Sequence, residues 1–540
     1  MCELGNKDIT TTCSTEIESV PMRRLTVGVA CLIISITSVG LAQRPRLSPE
    51  TIAQQIDFEF EQAWKAAKLA PSRRTSDSEF VRRVFLDIAG TIPPEDSVRK
   101  FLAGRSKSKR EDTVKLLLDS PAYSKYSSVV WGNLLVGRGK GVKFLQQIPF
   151  RNWLEEQFAA NRPFDEMVKE LLTASGKAGD NPAVVWTIHH EGKAENLTGA
   201  TARVFLGTQI QCAQCHDHPF ESWKQTDFYG MAAFFGRVES KRRFLTVTVE
   251  ESSRGEIRVG GGEDGPIAAP TFLDGSKPKA QDTPSRRQQL ANWLVDDSNE
   301  QFPRAVSNRV WAHYFGRGLV DPVDDFGESN APSLPAVLDL LAESFVKSGY
   351  DLKFLIKAIT STRAYHLSSL PSSNNQEDEE FFSRSLLRRL GPEQLLSSVV
   401  VSTGISSHKQ IVDNPLFKLL IAVVQQQFVF VFSNMDEMTE VNEFNGTISQ
   451  ALLMMNSDPL ARVTDWGFLD PLNRKLRSAN NVEDKVEILF LSTLSRKPTR
   501  GERVRFGKYF NGVRTTKAQL EICEDIYWAL LNSAEFAFNH

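Results

Sequence analysis

The sequence predicts a mainly α-helical fold, with two helical domains joined by a short segment that carries a small β-hairpin. Three observations predict it. Apolar residues recur at three- and four-residue spacings through most of the chain from Ser48 onward. Capping residues, prolines and glycines bracket those runs, and strict apolar alternation is confined to Phe244–Val249. At 540 residues the chain exceeds what one hydrophobic core usually organises, domains being typically about 100–250 residues.

The N-terminal stretch reads as a leader over residues 1–43. Met22-Arg23-Arg24 opens a basic stretch, the apolar run Val27 to Val39 follows, and Gly40-Leu41-Ala42 supplies the small residues of a cleavage site, placed after Ala42. The apolar run falls short of the about 20 residues that a membrane span needs, so no stable span is expected once the leader is removed. Residues 1–21 lack the pattern of a signal n-region, Met22 is an alternative start, and no function is assigned to them. The expected location is outside the cytoplasm, periplasmic or at the cell surface.

Residues 48–238 form the first expected helical domain. Ser48 caps and Pro49 opens a helix with Ile52, Ile56, Phe60 and Trp64 on one face. Ser76 to Glu79 is a capping box before Phe80, Val81, Val84, Phe85 and Ile88; Gly90 and Pro93-Pro94 end that helix, and another follows from Glu95. Arg82, Arg83 and Asp87 give it a charged face, with Arg83 and Asp87 spaced to pair. Further helices are predicted near 109–119, 123–136, 149–160, 164–174 and 196–210. Residues 239–283 then hold the hairpin, Phe244–Val249 pairing with Glu256–Val259 across Gly255, and a Gly- and Pro-containing linker. The second domain, 284–536, carries helices near 287–295, 303–315, 333–348, 351–362, 392–403, 447–456, 482–494 and 515–536. Ser372 to Glu380 is an acidic, solvated loop.

Lys+Arg at 64 against Asp+Glu at 66 gives a net charge of -2 with no long run of one sign, so no nucleic-acid partner is expected. The chain shows no Gly-rich phosphate loop, nucleophile elbow or His-Glu-x-x-His helix, and no enzyme class is assigned. Of the six cysteines, Cys2, Cys13 and Cys31 belong to the leader region, leaving Cys212, Cys215 and Cys523, which is no disulfide framework.

Cys212-Ala213-Gln214-Cys215-His216 is the chemically distinctive site. Two thiols three residues apart can bond the vinyl groups of a haem while the next histidine ligates the iron, and chance would produce the pattern in about one chain in a thousand of this composition. The expectation is an exported c-type haem protein serving electron transfer or redox partnering, with an unidentified redox partner or a cell-surface component. Cys212 and Cys215 would be the thioether attachments and His216 the proximal ligand. Met231, on the helical stretch that follows, is the distal candidate, ahead of His189-His190, His313 and Met454-Met455. His313, between Trp311 and Tyr314, reads more readily as a packing residue. His218 lies too close to His216 to reach the opposite haem face and would ligate only in a non-haem site.

Two alternatives stand beside haem: zinc held by the cysteines with His216 and His218, and a structural disulfide between Cys212 and Cys215 without any cofactor. They accompany a different function, an exported polysaccharide-binding or polysaccharide-processing protein. Trp131 and Trp223 are its candidate sugar-stacking aromatics. Asp321, Asp324, Asp325 and Glu328, near Arg317 and Arg309, form a carboxylate cluster suited to glycoside hydrolysis, to a Ca²⁺ ion, or simply to ion pairing.

The block Phe80-Val81-Arg82-Arg83-Val84-Phe85-Leu86-Asp87-Ile88-Ala89-Gly90-Thr91-Ile92-Pro93-Pro94, followed by Gln211 to Glu221, resembles the planctomycete cytochrome-associated domain of the PSCyt type. Asn308 to Val320 and Pro322-Val323-Asp324-Asp325-Phe326 are similar to the PSD domain that commonly follows it. The resemblance covers most of residues 50–535, departs around Phe432 to Glu443, and returns at Thr447 to Asn456. It implies a link to cytochromes and no established activity.

Overall fold

The computed structural model describes residues 47–139, 142–243, 246–262, 264–279, 283–405 and 471–540. The predicted leader, Met454-Met455 and the helix predicted at 447–456 lie outside the described residues. The chain is mainly helical with small antiparallel sheets, as its periodicity predicts. In order the helices are α1 (Pro49–Ala66), α2 (Asp77–Ala89), α3 (Glu95–Ala103), α4 (Lys109–Leu118), α5 (Pro121–Val136), α6 (Val142–Ala159), α7 (Phe164–Thr173), α8 (Val185–His189), α9 (Ala194–Phe205) and α10 (Gln225–Ala232). They continue with α11 (Arg286–Leu294), α12 (Gln301–Phe315), α13 (Pro335–Lys347), α14 (Leu352–Ser361), α15 (Pro392–Ser402), α16 (Pro471–Ser478), α17 (Val482–Leu494), α18 (Arg500–Gly507), α19 (Thr516–Leu531) and α20 (Ala534–Ala537).

The caps read from the sequence close these helices. Ser48 accepts a hydrogen bond from the Thr51 amide and Ser76 one from the Glu79 amide, while Gly90 ends α2 in the left-handed conformation that glycine adopts without a Cβ penalty. No helix among the described residues is long and apolar enough to cross a membrane.

The hairpin forms with a different partner from the one the sequence suggests. The alternating run contributes β3 (Thr246–Glu251), which pairs antiparallel with β2 (Val238–Arg243) upstream and with β1 (Gly176–Lys177) on its other side. Glu256–Val259 supplies only an isolated bridge, Arg258 to Ile267. The reason is compositional: Val-Glu-Ser-Lys-Arg-Arg is an edge strand facing solvent, and charge on such an edge carries no apolar alternation to read.

Two apolar cores organise the described residues of Leu47–His540, which form one compact unit. The larger runs from Ile52 to Phe382 and joins α1, α5, α7, α9, α12, α13 and α14. Trp311 at its centre stacks on Phe60 and Phe315. The smaller gathers α15, α16, α17, α19 and Phe536 around Leu86 and Ile92. Helix α2 touches both cores, and its polar residues bond to the C-terminal residues and to the segment after α14.

The predicted charged face of α2 is buried rather than solvated. Arg82 is 0 % and Arg83 1 % exposed. Arg82 donates to the carbonyls of Thr493 and Phe536, and Arg83 to those of Tyr365 and Leu367. Arg83 pairs with Glu79 at 3.0 Å instead of Asp87. Asp87, 1 % exposed, accepts from Arg388 at 2.8 and 2.9 Å, from the Tyr365 hydroxyl at 2.7 Å and from Asn539 at 2.8 Å. Its partners lie about three hundred residues or more away along the chain, where no local spacing could reveal them.

Candidate functional site

The segment after α9 begins with Gly207, whose φ of +61° suits glycine. A Cβ there would sit 2.6 Å from the Phe326 ring, and the Phe326 amide bonds the Gly207 carbonyl at 2.9 Å. This close approach seats the Asp324-Asp325-Phe326 loop beneath the cysteine segment. Gln209 adds a hydrogen bond to Asp324 at 2.9 Å.

A short 3-10 turn, Gln211–Gln214, carries the motif. Ala213 is its buried anchor, and Cys212, Cys215 and His216 are exposed, so the turn directs its apolar methyl inward and its reactive groups outward. The Gln225 side chain donates to the Gln214 carbonyl, and the Gln225 amide to the Asp217 carboxylate, pinning the loop to the start of α10. Both thiols are free.

The two histidines hold different tautomers. His216 Nδ1 lies 2.8 Å from the Asp217 carbonyl oxygen. A carbonyl only accepts, so Nδ1 carries the proton and Nε2 keeps its lone pair, the arrangement that orients a ligating imidazole. His218 Nδ1 instead accepts from the Glu221 amide at 2.9 Å, which puts the proton on Nε2 and makes His218 a turn-closing residue. Among the described residues no group of three or more His, Cys, Asp or Glu is placed to hold a metal ion.

The loop after His218 locks onto the acidic segment. Glu221 accepts from the Ser329 hydroxyl at 2.7 Å and from the Glu328 amide at 3.3 Å; the Ser329 bond is the main cause that holds its carboxyl below the ordinary range. Burial, then the charges of Asp324 and Glu221, push the Asp325 carboxyl up. Asp321 pairs with Arg317 at 3.4 Å, and Arg309 donates to the Arg203 carbonyl. Of the clustered carboxylates, Asp324 bonds across to the cysteine segment through Gln209 and Asp321 is paired locally with Arg317.

The remaining candidates are dispersed. Met231 is fully buried on α10, whereas His216 is exposed. His190 packs edge-on against Trp186, and burial followed by the charge of His189 pushes its imidazole down to about 3. His313 donates to the Asp87 carbonyl at 3.1 Å, a packing role in accord with its position between aromatics. Trp131 is buried against Phe164, while Trp223 is half-buried and its carbonyl accepts from the His218 amide. Gln209, Gln225 and Ser329 also shape the site and carry no local signature in the sequence. Gly207, directly after a helix end, was the one local signal of a tight approach.

Residues 55–240 match the PSCyt2 family model, described as a protein of unknown function (DUF1549). Residues 286–419 match the PSD1 model, likewise a protein of unknown function (DUF1553). No curated protein and no solved structure matches the chain.

Proposed function

The chain carries a PSCyt2 domain followed by a PSD1 domain, and from that premise we propose that it is an exported c-type haem protein with a redox or electron-transfer role. The observation that carries the reading is the His216 tautomer: Nδ1 is committed to the Asp217 carbonyl and Nε2 is left with a lone pair, beside two exposed, free thiols on the same turn. Cys212 and Cys215 would hold the macrocycle by thioether bonds and His216 its iron; the bound group would supply one-electron chemistry. Exposed Phe220, 88 % accessible, offers apolar contact beside the motif. Met231, the other candidate ligand, is buried on α10. The leader pattern from Met22 to Ala42 supports export, which covalent haem attachment requires.

The full chain, expressed with its leader in a host that carries a haem-maturation system, should give the pyridine haemochrome band of a thioether-linked haem. Cys212→Ser with Cys215→Ser should abolish covalent attachment, and His216→Ala should keep the attachment but shift the Soret band. An exported, mature chain with no covalent haem would sink the proposal. Mass spectrometry under non-reducing conditions then tells a Cys212–Cys215 disulfide from zinc-bound thiolates.

A further inference from the structure

A concavity lies far in sequence from the cysteine motif. It opens between the Pro71–Arg74 segment, α4, and the stretch from the end of α14 to Leu367, and encloses about 560 Å³. That volume falls within the roughly 300–1,000 Å³ of small-molecule sites.

Its lining is strongly cationic in a chain whose net charge is -2. Arg73, Arg74, Lys107, Arg110 and Arg363 line it, against Asp57 and Glu111. Two of these cations are already neutralised: Arg110 pairs with Asp77 at 2.9 Å and Arg363 with Glu61 at 2.8 Å. Arg73, Arg74 and Lys107 are exposed, and among the described residues their side chains make no ion pair or hydrogen bond. Three unneutralised cations around one concavity focus a positive potential that surface lysines scattered over a convex face would not.

The floor is pre-organised. Arg110 uses four of its five N–H groups, on Asp77, the Thr75 carbonyl and His366 Nδ1. The fifth, on Nη1, is spare. His366 is fixed as the neutral tautomer, accepting from Arg110 at Nδ1 and donating from Nε2 to the Thr360 carbonyl at 3.1 Å. Its ring stacks on Phe80 at 5.0 Å, and the Arg110 guanidinium lies over the Phe80 ring at 4.6 Å. Burial, and then the charges of Arg110 and Arg74, keep the imidazole uncharged, as expected of a histidine in a cationic field. Pro71, Val114 and Leu367 give the cleft an apolar wall.

We propose that this cleft binds a small organic anion, a phosphate or sulfate monoester on a sugar-sized body, with Arg73, Arg74 and Lys107 on the ester oxygens and the apolar wall against the body. A tetrahedral oxyanion matches several convergent cationic donors. The enclosed volume and the three free cations suit a compact ligand rather than a polyanion, which needs an extended basic track. The inference does not depend on haem binding, so either proposal can fail alone.

Isothermal titration of the full chain tests it with glucose 6-phosphate, glucose 6-sulfate, glucose and inorganic phosphate, each at low and high salt. The expected result is one saturable site for a phosphate or a sulfate ester, no binding of glucose, and weakening at high salt. The relative affinities of the two esters identify which is the ligand. Arg74→Gln and Arg73→Gln should each weaken the preferred ester by about tenfold, the usual scale for one charge-assisted hydrogen bond. Arg500→Gln with Arg503→Gln, exposed cations on α18, should leave binding unchanged. Absence of saturation by either ester at millimolar concentration would overturn the proposal. So would inorganic phosphate binding as tightly as the preferred ester, or an equal loss in the α18 control, which would reduce the effect to diffuse charge attraction.

Discussion

The α2 hub and the cysteine turn use similar polar side chains to opposite ends. Around Asp87 every acceptor is filled: Arg388 reaches both carboxylate oxygens, Tyr365 and Asn539 take one each, and the residue is 1 % exposed. On the turn, Cys212, Cys215 and His216 are exposed, the thiols are free, and His216 spends one nitrogen on a backbone carbonyl and keeps the other. A saturated, buried charge is structural, since any change strands a partner in low dielectric. An exposed set with spare ligating atoms costs the fold little and is available for chemistry. Charge and polarity in a sequence do not separate these cases; burial and unfilled valence do.

The hub side of that contrast breaks most severely at Asp87. Asp87→Ala should destabilise the protein by about 3 kcal/mol, because the half-buried Arg388 guanidinium loses its counter-ion and Tyr365 and Asn539 lose their acceptor. Urea denaturation checks it through the midpoint, and a loss below about 1 kcal/mol would mean that the network is not a structural hub. Removing Arg388 together with Asp87 should recover part of the loss, since the double variant strands fewer charges.

A smaller effect tests the same principle through a neutral buried group. His366 is pushed down to about 3, by burial first and by Arg110 next, so the folded chain binds fewer protons than the unfolded chain between that value and about 6.5. Its contribution is present above about pH 6.5 and is lost as the pH falls toward 3, at no more than about 1.4 kcal/mol per pH unit. His366→Gln should flatten the fall in stability across this window relative to the parent chain. Parallel curves for the two proteins would show that His366 is not held neutral by the fold.

Much of the helical order was legible because caps and apolar spacing are local. Ser48 and Ser76 cap α1 and α2 as their positions predict, and Gly90 ends α2. What escaped was set by contacts distant in sequence. Strand β2 is too charged to alternate, so the pairing of β3 was misassigned, and Arg83 turns to Glu79 because Arg388, 301 residues away from Asp87, occupies the carboxylate. The cysteine motif was visible as spacing, whereas the Gly207–Phe326 approach, the Glu221–Ser329 lock and the His216 tautomer depend on carbonyls and loops that only the folded chain brings near. The basic cleft was invisible for the same reason: Arg73, Arg74 and Lys107 look like ordinary surface charge until α14 and His366 close the other side.

The smallest expected change in stability sharpens the other half of the comparison. Cys212→Ser with Cys215→Ser replaces two exposed thiols that bond to nothing else in the described fold, and the turn is anchored by Ala213 and by the Gln225 hydrogen bonds, which the change leaves intact. Surface substitutions of this kind fall within about 0.5 kcal/mol. In protein prepared without haem maturation, the urea midpoint of the double variant should therefore coincide with that of the parent under reducing conditions. Under oxidising conditions the two should still coincide if the thiols stay free, whereas a Cys212–Cys215 disulfide would leave the parent alone sensitive to reductant. A stability loss of more than about 1 kcal/mol in reductant would place the cysteines among the structural residues, with Asp87, and remove the distinction between the two regions.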